Sequence, residues 1–345
     1  MSSWNDVLKE IEKTKSPQGH VDLDGVRRRK MRAVAEHTGR PLIVYASDFL
    51  GKGRGVPASA IDFDDKDGFL EVASSLSGDQ VDVLLHSPGG SAEAAESIVR
   101  LLRAHFKSVR FIIPSVAKSA ATMLALSGDE IILDTGAELG PIDPQFQLLR
   151  GDGSVVVAPA QAIIDQFDGM EKKIKADPSS LPAHIPILQF YAPSLYEQAK
   201  NAIDLSKMLV TEWLSAYMFS SKRVADRKRL ASQVARYLCN HRKFKSHAKG
   251  VRLEDFRTVK ALSQIKVLDL SDEPQLQSQV RSLHHAIGFT FNGSTAIKVF
   301  ENSDGRAMIR HMRQVQVQLP TGLQQVIGIE REPDQPVKPA QMMPL

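Results

Sequence analysis

Four short apolar runs mark the first 134 residues, PLIVYASDF (41–49), VDVLLHS (81–87), VRFIIPS (109–115) and EIILD (130–134), and each stops at small or polar residues. Runs of this length bounded by turn residues predict buried strands. Between the second and third, AEAAESIVRLLRAHF sets Ala95, Ile98, Val99, Leu102 and Phe106 at helical spacing. Between the third and fourth, SAATMLALSG predicts a short apolar helix closed by Gly128. Strands joined by helices imply right-handed crossovers and a mostly parallel sheet, an α/β fold whose ligands bind at the carboxyl ends of the strands. The turns after Leu85 and Ile113 fall on that edge.

Beyond the fourth strand a Gly/Pro-punctuated excursion leads to three predicted helices, PAQAIIDQFDGMEKKIK, YAPSLYEQAKNAIDLSKMLVTEWLSAYMF and SKRVADRKRLASQVARYLCNH. SHAKGVRLEDFRTVKALSQIKVLDL follows as a loop, a helix and a short strand, and TAIKVFENSDGRAMIRHM has a β-hairpin pattern around Asp304-Gly305. The pattern divides the chain into an N-terminal helical segment (1–40), a core (41–176), a helical extension (177–265), a C-terminal α/β segment (266–330) and a Pro-rich tail (331–345) expected to be disordered.

Composition narrows the class. The 345 residues are 42% hydrophobic and 24% charged, which suits a soluble globular protein. The longest apolar runs, such as VVVAPAQAII, fall short of the roughly 20 residues of a membrane-spanning helix. The charged N-terminus lacks a signal-peptide core, so the expected location is cytoplasmic. A lone Cys239 leaves neither a disulfide framework nor a cysteine-based zinc site. The adjacent His284 and His285 point to different faces of a predicted helix, so no metal and no cofactor are expected. Net charge is +4, yet from Lys222 to Arg252 eleven Lys or Arg face only Asp226. That stretch reads either as a solvated face paired by tertiary neighbours or as a surface for an acidic or nucleic-acid partner.

The two turns carry the candidate chemistry. Gly89 and Gly90 after a strand allow close backbone approach with N–H groups aimed outward, the arrangement of an oxyanion hole and equally of an ordinary tight turn. Ser119 sits where a strand passes into a helix, with Ala120 behind it. There a serine is either an N-cap or a nucleophile, and spacing leaves both open.

HSPGGSAEAAESIVRLLRAH, VAKSAATMLALSGDEIILD and AELGPIDPQ, in that order, resemble the consecutive blocks of the serine dehydrogenase proteinase family, relatives of signal peptide peptidase A in the ClpP/crotonase superfamily. The similarity runs from RRRKMRAVAEHTGRPLIVYASDF to about Gln161 and is thin beyond it. It implies a ClpP/crotonase-like spiral of ββα units with a C-terminal helical region, self-association into a homo-oligomer, and serine peptidase chemistry on polypeptide substrates. Ser119 would be the nucleophile, and the N–H groups of Gly90 and Ala120 the oxyanion donors. Gly89 supports the turn, and Asp143 pins its loop.

The block ELGPIDPQ has no histidine where ClpP-like members carry their base. Signal peptide peptidase relatives use a downstream lysine, which block spacing places at Lys172, with Lys173 and Lys175 beside it and His247 in KSHAKG as a further alternative. Helical phase sets Ile163, Phe167, Met170 and Ile174 on one face and the three lysines away from it, so a lysine base requires burial by assembly. Lys118 should point away from the Ser119 hydroxyl. The expectation is a Ser-Lys peptidase. Its competitors are a catalytically silent assembly module acting through the basic helix and, less supported, an acyl-CoA enzyme. No G-x-G-x-x-G follows a predicted strand, which removes a dehydrogenase.

Overall fold

A computed structural model of the chain describes residues 3–15, 19–149, 153–189, 191, 193–312, 316–318 and 324–326; the expected tail at 331–345 lies outside them. In chain order the first part holds α1 (Trp4–Lys13), α2 (Leu23–Thr38), β1 (Leu42–Ser47), α3 (Asp65–Ala73), β2 (Gln80–His86), α4 (Ala92–His105), β3 (Ser108–Ile113), β4 (Val116–Ala117), α5 (Ala120–Leu126), β5 (Glu130–Leu133) and β6 (Glu138–Leu139). The second holds β7 (Gln145–Leu149), β8 (Val155–Pro159), α6 (Ala160–Ala176), α7 (Leu181–Leu188), α8 (Leu195–Ala216), α9 (Val224–Leu238), α10 (His241–Phe244), α11 (Leu253–Thr258), β9 (Val267–Asp269), α12 (Pro274–Asn292), β10 (Ala296–Asn302) and β11 (Ala307–His311).

A seven-stranded sheet runs in the order β11-β10-β1-β2-β3-β5-β9. β1, β2, β3, β5 and β9 are parallel, whereas β10 and β11 form the antiparallel edge. The four apolar runs are β1, β2, β3 and β5, each within about a residue or two of its expected limits. They carry uninterrupted Val, Ile and Leu because helices cover both faces. One face packs Tyr45, Val83, Leu85 and Phe111 against the inner residues of α3, α4, α5 and α8. The other packs Val44, Leu84 and Ile112 against α2 and α12.

A second, smaller layer crosses the carboxyl edge. Ile61 bridges Gly90, Ser87 bridges Ala117, β4 pairs with β6, and Leu139 bridges Val251. A main-sheet strand, a short strand of this layer and a helix thus recur as β3, β4 and α5, the ββα unit that the resemblance implies.

Two elements were not evident in the pattern. The excursion after β6 contains the antiparallel hairpin β7–β8. α3 carries an interior Gly68, a poor helix residue, because a Cβ there would lie 2.6 Å from the Phe300 ring. Contact with β10, far along the chain, selected it.

The basic run at 27–32 is largely answered by tertiary partners, whereas in the 222–252 stretch two of the eleven basic residues, Arg242 and Arg252, pair with acids outside it. Arg27, fully buried, and Arg28 share the buried carboxylate of Glu301; Arg29 and Lys30 meet Glu10. In the 222–252 stretch Arg223 and Arg229 pair with Asp226, Arg242 with Asp165, and Arg252 with Glu138.

Candidate active site

Ser119 opens α5 with φ 52° and ψ −122°, one of three non-glycine residues with positive φ among those described. Its side chain makes no cap hydrogen bond. An N-cap serine takes an extended backbone and accepts from the next turn, so the N-cap alternative is not what this residue adopts. A non-glycine residue held in that region stores about 1–3 kcal/mol, which the surroundings must supply.

Those surroundings are the turn after β2. Ser87 donates its N–H to Val116 (3.1 Å) and accepts from the Lys118 N–H (3.1 Å), stitching the turn to β4. Gly89, at φ 92°, then lies so close that a Cβ would sit 2.4 Å from the Lys118 carbonyl oxygen and 2.6 Å from Ser119 Cβ. Gly90 presses equally on Ile61: a Cβ would meet its carbonyl oxygen at 2.3 Å. Ile61 clasps the turn by donating to Gly89 O (2.7 Å) and accepting from the Ser91 N–H (2.9 Å). Ser91 in turn caps α4, accepting from the Ala94 N–H at 3.0 Å. The N–H groups of Gly90 and Ala120 have no acceptor among the described residues.

Lys118 is bonded to β6 rather than to Ser119 among the described residues. Its half-buried ammonium pairs with Glu138 (2.7 Å) and donates to Leu139 O (3.0 Å). Burial lowers its pKa, and Glu138 opposes the shift.

The small layer also gathers residues distant in sequence. Ala117 pairs in parallel with Leu139, and Leu139 pairs antiparallel with Val251 through bonds of 2.9 and 3.0 Å. Ser119 lies two positions forward of Ala117, Asp143 four forward of Leu139, and His247 four back from Val251. With those strand directions, all three leave the ladder from one end. Thr122 adds a tie, accepting from the Gly140 N–H (2.9 Å) while donating to Ala117 O (2.8 Å).

Asp143, only 2% exposed, does more than pin its loop. Its Oδ1 meets His247 Nδ1 at 2.8 Å, and its Oδ2 meets His241 Nδ1 at 2.9 Å and accepts from Gln145 Nε2 at 2.9 Å. An ionised carboxylate only accepts, so each imidazole donates to it from Nδ1, which leaves Nε2 as the ring nitrogen turned away from Asp143. Sequence reasoning named Asp143 and His247 separately and missed His241; no spacing rule joins residues about 100 positions apart.

Lys172, Lys173 and Lys175 are all exposed on α6, where Ile163 and Met170 face inward, as helical phase predicts. Lys175 pairs with Glu171. Among the described residues no group of three or more His, Cys, Asp or Glu is arranged to hold a metal ion, and no helix is long and apolar enough to cross a membrane.

Residues 24–178 match a family model described as ClpP-like SDH-type serine proteinase. Two uncharacterized proteins of Methanocaldococcus jannaschii are 39% identical over 116 residues (33% of this chain, 40% of theirs) and 44% identical over 66 residues (19% and 23%). The chain thus spans less than half the length of either relative. Two solved structures of mutants of a membrane-bound stomatin-specific protease, one in complex with a substrate peptide, align at 17% and 18% identity with TM-scores of 0.33. They cover 64% and 62% of this chain and 79% and 71% of those chains.

Proposed function

We propose that this chain, whose residues 24–178 belong to the family of ClpP-like SDH-type serine proteinases, hydrolyses peptide bonds through an acyl-enzyme on Ser119. The observation that carries the proposal is the strained Ser119, free of any capping role, at the end of the ladder from which Asp143 and His247 also emerge.

The base is His247, oriented by Asp143. Nε2 of His247 takes the proton as Ser119 Oγ adds to the scissile carbonyl carbon. The oxygen that becomes negative is received by the N–H groups of Gly90 and Ala120, the latter at the positive end of α5. Collapse breaks the C–N bond, and the imidazolium returns its proton to the departing amine. Water, deprotonated by the same nitrogen, then releases the acyl group. His241, on the other oxygen of Asp143, helps to hold that carboxylate.

Lys172 is the competing base. A lysine acts as base only when desolvated, and Lys172 is exposed in the single chain, so that mechanism requires a second copy to cover it. Self-association is part of the reading: Leu149, Val155 and Val157 on the β7–β8 hairpin are 74%, 56% and 58% exposed, an apolar surface suited to burial between copies.

The test is reaction with a fluorophosphonate probe, with mapping of the labelled peptide, in wild type, Ser119→Ala, His247→Gln, His241→Gln and Lys172→Met. Labelling confined to Ser119 and slowed by about 10²–10⁴ in His247→Gln is expected, the range for loss of a general base. Survival of labelling in His247→Gln with loss in Lys172→Met transfers the role to the lysine. A folded wild type that takes no label returns the reading to an assembly module.

A further inference from the structure

Lys298 is fully buried in β10, 120 positions beyond the family-matched segment. It stands opposite Ser47 on the face of the sheet that carries Tyr45 and Phe300. Its Nζ lies 2.7 and 2.9 Å from the two carboxylate oxygens of Asp65 and donates to Ala60 O at 2.6 Å. Asp65 also accepts from the Tyr45 hydroxyl (2.7 Å) and from the Asp62 N–H (3.2 Å). The residues on either side of Ile61 are therefore both fastened to one buried ion pair. Ile61 is the residue that clasps Gly89 and Ser91 and against which Gly90 is pressed.

A lone buried ammonium costs several kcal/mol to desolvate, and an apolar pair of similar volume often stabilises a fold as well or better. Stability alone thus gives little reason to keep this pair. Its placement gives one. The geometry points to Lys298 as a positioning residue for the oxyanion turn: through Ala60 and Asp65 it fixes the height of Ile61, and through Ile61 the direction of the Gly90 N–H. This rests on the peptidase reading of the Ser119 site. It extends that site to β10, since an oxyanion donor must be held to a few tenths of an ångström before charge develops.

The experiment combines amide hydrogen exchange with the rate of fluorophosphonate labelling. Lys298→Met strands the Asp65 carboxylate and risks unfolding, so it is paired with the double variant Lys298→Met/Asp65→Asn, which removes both charges of the pair and keeps an acceptor for Tyr45. In whichever variant folds, the amides of Ile61 and Ser91 should exchange at least tenfold faster, those of Val83 and Ile112 should be unchanged, and labelling of Ser119 should slow at least tenfold. Unchanged exchange at Ile61 and Ser91 overturns the inference, as does faster exchange with undiminished labelling. Failure of the wild type to label overturns the peptidase reading alone, and the exchange comparison still decides whether Lys298 holds the turn.

Discussion

The His247 imidazole and the Asp143 carboxylate meet at 2.8 Å although 104 positions separate them in the chain. One antiparallel contact, Leu139 with Val251, closes that distance. Without it KSHAKG is an unremarkable basic loop. With it, the loop delivers an oriented imidazole to the end of the ladder from which Ser119 emerges.

Asp143→Asn keeps the size of the side chain but lets an amide N–H face an imidazole nitrogen that should donate. Peptidase activity should fall by at least about 10², as expected when a base loses its tautomer. Circular dichroism should match wild type. Activity within a few-fold of wild type would remove Asp143 from the mechanism.

Ser119→Ala and Ser119→Gly both delete the hydroxyl, yet they should differ in stability. At φ 52° a Cβ is strained and glycine is not. The glycine variant should be the more stable by about 1 kcal/mol in urea unfolding, after its larger chain entropy is offset. Equal midpoints would mean that the backbone of Ser119 stores no strain.

Gly89→Ala places a methyl group 2.4 Å from the Lys118 carbonyl oxygen, which is backbone and yields little. The turn must shift off Ser119. Labelling of Ser119 should be lost, at a stability cost of about 1–3 kcal/mol. A variant that labels at the wild-type rate would show that the contact between the two turns is dispensable.

His86, which is buried, and His284, which is partly buried, pack edge to face at 4.8 Å. Burial lowers His86 to about 3 and His284 to about 4, from an ordinary value of 6.5. Because the folded values are depressed, the unfolded chain binds these protons first as pH falls below about 6.5. Stability is therefore complete above that pH and is lost towards pH 4, by up to about 1.4 kcal/mol per pH unit for each histidine. Urea midpoints at pH 7 and pH 5 measure this, and His284→Gln should flatten the slope. A midpoint independent of pH over that range would contradict the neutral pair.

Where patterns are local, the sequence is legible. β1, β2, β3 and β5 follow from runs of Val, Ile and Leu, and the inward face of α6 from the spacing of Ile163 and Met170. Ser119, Gly89 and Gly90 stand out as candidates in the sequence because a turn between a strand and a helix leaves a signature within a few residues. α3 and the β7–β8 hairpin escaped, since their residues are selected by partners elsewhere: Gly68 by the Phe300 ring, and the hairpin strands by one another.

The sequence by itself determined the α/β class, the positions of β1, β2, β3 and β5 and the two turns of the candidate site, because hydrophobic period and small residues act over one or two turns of chain. Only the tertiary structure decided that Ser119 is strained rather than capping, that Asp143 holds two imidazoles, and that Lys298 reaches Ala60. Each of these depends on which backbones pair across the sheet edge and which charges lose water. Those are properties of the packed chain, set by contacts between positions far apart in sequence.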